Sequence, residues 1–155
     1  MSQLTVLRTP LLAALAGLLL PGVATRSGNA PEPSRLVFRT EFAGVDKAGD
    51  CLWSGRVDGD GGAVVTLALR QVEDPAQAAN PVWHVRAHWS LTAPRPGRSF
   101  SADLEGMVDW KAGVGRLSGV ITSGWMRGGW VQQDARLVSG DVRGTLQITP
   151  ALASR

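Results

Sequence analysis

Apolar and polar residues alternate along this chain, in runs bounded by Gly, Pro, Asn and Asp, and that alternation restricts the fold more than any other feature. A period of two places successive side chains on opposite faces of a strand, so a chain that repeats it is committed to sheet. The run LVFRTEFA at 36–43 sets Leu36, Phe38, Thr40 and Phe42 against Val37, Arg39 and Glu41. Further strands are expected at 51–58, 63–73, 82–91, 99–110, 116–123, 130–138 and 142–149. In the 82–91 strand, Trp83, Val85, Ala87, Trp89 and Leu91 form the apolar side, with His84, Arg86, His88 and Ser90 opposite. DGDGG at 58–62 is a strong hairpin signal, because Gly and Asp supply the positive φ angles of a tight reversal. EDPAQAANP at 73–81 has the only helical flavour, and Pro75 and Pro81 limit it to about one turn.

Eight strands with mostly short links predict an all-β domain, an eight-stranded antiparallel up-and-down β-barrel. An even count leaves the first and last strands antiparallel, so they can pair and remove both edges. A two-sheet sandwich fits the same count but needs longer crossings than these links provide. A mid-strand Gly recurs in SGRV (54–57), EGMV (105–108), SGVI (118–121) and RGTL (143–146). Gly106, Gly119 and Gly144 fall on the more apolar side of their strands, where glycine lets a sheet coil tightly enough to close.

The N-terminal segment reads as an address. Arg8 is the only charge in the first 25 residues, LLAALAGLLL follows at 11–20, and Pro21 and Gly22 end the run ahead of small residues. This predicts a helical secretory signal peptide at 1–24, with an alternative cut after Ala30, then a flexible lead-in at 25–35 and the barrel at 36–150. The apolar run falls short of the ~20 residues of a spanning helix, so no stable membrane span is expected after cleavage. The expected location is secreted or periplasmic. The single Cys excludes a disulfide within the chain and any multi-Cys metal site. The net charge of +3 arises from 16 basic and 13 acidic side chains with no Lys/Arg-rich run, so nucleic acid is not an expected partner.

Several residues invite chemistry. His84 and His88 have the spacing of a helical metal motif, but on a strand they lie about 13 Å apart and cannot ligate one ion, so no metal site is assigned. Asp103 and Glu105 stand about 6.5–7 Å apart on one strand face, a separation compatible with a glycosidase pair, but the expected role is a solvent face paired with Arg116 or Arg136. Cys51 has no local base to generate a thiolate and reads as a buried thiol, with an intermolecular disulfide as the alternative. Trp53, Trp83, Trp89 and Trp110 lie on apolar strand faces and are assigned to the interior. Trp125 and Trp130 bracket the reversal SGWMRGGW at 123–130, with Arg127 at its tip. Rings so placed can stack on a sugar, an aromatic ligand or a partner, or fold back to cap the barrel, so Trp125, Arg127 and Trp130 are the candidate ligand-binding residues.

The second half, SADLEGMVDWKAGVGRLSGVITSGWMRGGWVQQDARLVSGDVRGTLQITP, resembles allene-oxide-cyclase-like barrels in the spacing of its Gly-centred hairpins. That resemblance implies a compact calycin-type barrel in a secreted setting; it carries no catalytic motif. The expected function is a secreted, non-catalytic binding module for a small apolar molecule or a protein partner, without a cofactor and with no catalytic residue assigned. The alternatives are a cyclase or isomerase using Asp103, Glu105 or His88 from inside the barrel, and a structural or assembly protein. Which face points inward separates them. A hollow lining favours a ligand, carboxylate and imidazole inside favour an enzyme, and a filled interior with an exposed apolar patch favours assembly.

Overall fold

The computed structural model describes residues 32–59, 61–73 and 81–151; the signal segment and most of the 73–81 stretch lie outside them. Eight strands follow in chain order: β1 (Ser34–Val45), β2 (Cys51–Asp58), β3 (Val64–Gln71), β4 (Val82–Thr92), β5 (Phe100–Asp109), β6 (Val114–Gly124), β7 (Trp130–Val138) and β8 (Asp141–Thr149). Each pairs antiparallel with the next, and β8 pairs with β1 to close an up-and-down barrel. Strand β1 begins at Ser34, so pairing with Ile148 of β8 starts two residues ahead of the expected strand. Strand β6 begins at Val114, two residues ahead of the expected start at 116.

The register fixes the size of the barrel. An outward row of paired residues leaves β4 at Val82, passes through every other strand, and returns to β4 at Thr92, a stagger of 10 residues (92 − 82). An eight-stranded barrel of this kind is just wide enough for side chains to fill. Closure depends on the recurrent glycines. A Cβ on Gly55, Gly106, Gly119 or Gly144 would run into the backbone of the neighbouring strand, at the carbonyls of Arg39, Arg116, Asp103 and Asp134 respectively. Gly55 joins the set because it lies inward between buried Trp53 and Val57, with Ser54 and Arg56 on the outward face. Any side chain at these positions would push the adjacent strand away.

The inward residues of all eight strands form one core. Trp89 is fully buried, packs edge-on against Phe38 at 4.7 Å, and donates its indole N–H to Gln133 Oε1 at 2.8 Å. Thr40 donates its hydroxyl to the Val142 carbonyl at 3.0 Å across the β1–β8 seam. The two buried polar residues are therefore bonded, which avoids the roughly 1–3 kcal/mol cost of leaving such a group unpaired. Phe42 shares the inward parity and meets Trp53 edge-on at 5.4 Å, but the bulge between Phe42 and Gly44 leaves it at the rim, 52% exposed. Cys51 is a free thiol, half-buried against the core. Apolar side chains point in and charged ones out, the reverse of a membrane-spanning barrel.

Candidate functional site

Packing removes the interior as a site. The cavity between Trp53, Trp110 and Gln133 holds about 20 Å³, room for one water and no larger ligand. Trp110 Nε1 and Gln71 Nε2 are the buried side-chain polar atoms without a partner among the described residues. The groups that a cyclase or isomerase would use from inside, Asp103, Glu105 and His88, all lie on the exposed outer face.

The reversal 123–130 sends its two tryptophans opposite ways. Gly124, Met126 and Gly128 have φ of 80°, 55° and 80°, a left-handed path that returns the chain within a few residues. The Trp125 N–H donates to the Ser99 carbonyl at 2.9 Å. Its ring tilts against Phe100 with centroids 6.1 Å apart, while the Arg98 guanidinium lies 4.2 Å above it. Trp125 therefore packs against the core and caps the barrel end, one of the two placements the sequence allowed for these rings. Arg127 is exposed at the tip. Trp130 opens β7 as an outward residue, 50% exposed, with Val120 of β6 and Thr149 of β8 as its cross-strand neighbours.

Trp130 heads a polar surface. Its register row continues through Val120 to Asp103, His88 and Ala68 on β5, β4 and β3. The adjacent row runs Ser118, Glu105, Arg86 and Arg70. Together they line a groove of about 620 Å³ whose floor is kept low by the short side chains of Ala68 and Ser118. The walls are paired polar groups. His88 Nδ1 lies 2.6 Å from Asp103 Oδ1 and Arg86 Nε donates to Glu105 Oε2 at 3.1 Å, while His84 Nε2, just outside the groove, lies 2.7 Å from Glu105 Oε1. Arg70 pairs with Asp50 at the far end. The hydrogen bond from Arg86, assisted by the charge of that guanidinium and by His84, holds the Glu105 carboxyl below its ordinary range.

The expected pairing of Asp103 and Glu105 with Arg116 or Arg136 is corrected here: their partners stand on β4, and Arg116 instead meets Asp134 at 3.3 Å. Of the three candidate ligand residues, only Trp130 lines this groove. Sequence reading missed Val120, Ser118 and Arg86, whose outward parity was legible but whose place beside Trp130 follows from register alone. No family model, curated protein or solved structure matches the chain; the eight-stranded antiparallel barrel is shown, and nothing supports an allene-oxide-cyclase-like or calycin identity.

Proposed function

We propose that the protein is an exported, non-catalytic binding module that holds a polyhydroxylated ligand of the saccharide class on the outer face of β4–β7. The observation that carries this reading is the half-exposed Trp130 ring at the end of a shallow groove walled by paired carboxylates, imidazoles and guanidinium groups. An indole face accepts the C–H side of a pyranose, and fixed donor–acceptor pairs suit vicinal hydroxyls, each of which both donates and accepts. The ion pairs hold these groups in place before the ligand arrives, which lowers the ordering cost of binding. Glu105, kept ionised by Arg86 and His84, is unsuited to donate a proton to a leaving group, and the open groove does not exclude water; both favour binding over hydrolysis.

Titration of the purified protein with neutral oligosaccharides, followed by tryptophan fluorescence, tests the reading. Saturable binding by the wild type and its loss in Trp130→Ala, with the melting temperature nearly unchanged, is the expected result. Equal binding by Trp130→Ala would end it. A filled interior with Val120 and Trp130 exposed side by side also supports self-association through this face. A dimer in native mass spectrometry that Trp130→Ala dissolves would favour that second reading.

A further inference from the structure

The opposite side of the barrel carries an arrangement that the saccharide reading does not use. Arg136, Arg143, Arg39 and Arg56 stand directly opposite one another on the neighbouring strands β7, β8, β1 and β2. Like charges in cross-strand register repel, and a fold does not require them there. Arg143 is held by Asp141 at 3.0 Å, whereas Arg39, Arg56 and Arg136 make no ion pair among the described residues. Of the nearby acids, Asp134 meets Arg116 and Asp109 Oδ1 accepts the Ala112 N–H at 2.8 Å, while Glu41 lies two residues along β1 from Arg39 and makes no ion pair among the described residues. Asp58 stands one register row aside, opposite Val37.

Beyond Arg136 the same row holds two valines with one aspartate between them. It continues to Val114 on β6, then to Asp109 and Val82, with Met107 one outward position away on β5 and Val138 one away on β7. Val82, Val114, Val138 and Met107 are 36%, 38%, 44% and 47% exposed, large fractions for apolar side chains. With Arg39, Arg116, Arg136 and Arg143, and with Asp58, Asp109 and Asp134 among them, they line a groove of about 1070 Å³ on the outer wall. The arginines unpaired among the described residues gather at the β7–β1 end, where Asp134 is held by Arg116. Most of the exposed apolar side chains gather at the β4–β6 end, where Asp109 accepts the Ala112 N–H.

We propose that this groove binds a single amphiphile with an oxyanion head, the head between Arg136, Arg143 and Arg39 and the chain over Val114, Met107 and Val82. Three strand spacings separate Arg136 from Val82, about 14 Å, which matches an extended alkyl chain of about a dozen carbons. A carboxylate, sulfate or phosphate head gains charge-assisted hydrogen bonds from neighbouring guanidinium groups and relieves their mutual repulsion. A purely polyanionic chain would leave the apolar half of the groove unused. A single-stranded nucleic acid would lack a stacking surface, since no exposed aromatic ring lines it.

Calorimetric titration of the full protein at low salt with dodecanoate below its micelle concentration tests the proposal, alongside butanoate, the uncharged octaethylene glycol dodecyl ether, phosphatidylglycerol vesicles and an oligothymidylate. Expected are one-to-one binding of dodecanoate, at least tenfold weaker binding of both butanoate and the dodecyl ether, and methyl NMR shifts at Met107 and Val114. Arg136→Ser with Arg143→Ser should weaken dodecanoate at least tenfold; if that variant fails to fold, the wild-type ligand series and the methyl shifts decide alone. Dodecyl ether binding as tightly as dodecanoate would overturn the proposal. So would binding confined to vesicles, a preference for the oligothymidylate, or dodecanoate shifts that map to Trp130. The Trp130 reading is independent of every one of these outcomes except the last.

Discussion

The two outer faces of this barrel occupy equivalent strand positions and follow opposite electrostatic rules. On β4 and β5, acid meets base: Asp103 faces His88, and Glu105 faces Arg86 while also reaching His84; Arg86 opposite Arg70 on β3 is the one like-charge pair of that row. Across β7, β8, β1 and β2, arginine meets arginine three times in succession. Both faces cover the same closed core, so the fold tolerates either pattern. Only the parity of each residue matters to the barrel; the sign of its charge is open to other demands. A face whose charges are mutually satisfied is pre-ordered and close to neutral. A face of opposed like charges lowers its own free energy when an anion arrives from outside.

The comparison can be broken most severely at the glycines that both faces share. Gly119 lies behind the paired face and Gly144 behind the arginine row, and a side chain at either would strike the backbone of the next strand. Gly119→Val and Gly144→Val should each cost about 3 kcal/mol or more in urea denaturation, as overpacking against rigid backbone does. Native-like stability in one variant alone would mean that the two faces do not rest on the same bend.

A smaller effect of opposite sign sharpens the contrast. Arg39→Glu places an acid between Arg56 and Arg143 and should stabilise the protein at low salt by about 0.5–1 kcal/mol. The gain should shrink as salt rises, because exposed charges are screened. A destabilised Arg39→Glu would show that the row is not repulsive in the free protein.

The smallest effect concerns pH and the paired face alone. Glu105 has its folded pKa lowered by Arg86 and His84, so its contribution to stability is present above the unfolded value near ~4.3 and lost as pH falls through the depressed folded value. Melting curves of wild type and Glu105→Gln should differ slightly at neutral pH and converge below about pH 4. A difference that widens on acidification would reverse the assignment of sign.

Much of this architecture was legible before any coordinates. Alternation gave all eight strands, and the recurrent Gly motif marked four positions where a side chain would strike the neighbouring strand, including Gly55, which shares its face with Trp53 and Val57 but was not among the three glycines assigned to the apolar side. The sites were less legible. Asp103 and Glu105 were readable as an outward pair, but their partners stood on the preceding strand β4 and not on β6 or β7. Trp125 and Trp130 looked equivalent around one reversal. Contacts with Ser99, Phe100 and Arg98, from the loop and strand ahead of β6, turned one of them inward.

The amino-acid order by itself determined which side chains face the core, because along a strand that choice has a period of two and needs no information from elsewhere. Which outward residues became neighbours was decided only by tertiary structure. Arg39 and Arg143 lie at opposite ends of the chain, and they met when β1 paired with β8 at a particular register. Lateral contacts in a barrel follow from that closure and its stagger, two properties of the whole sheet that no single segment contains.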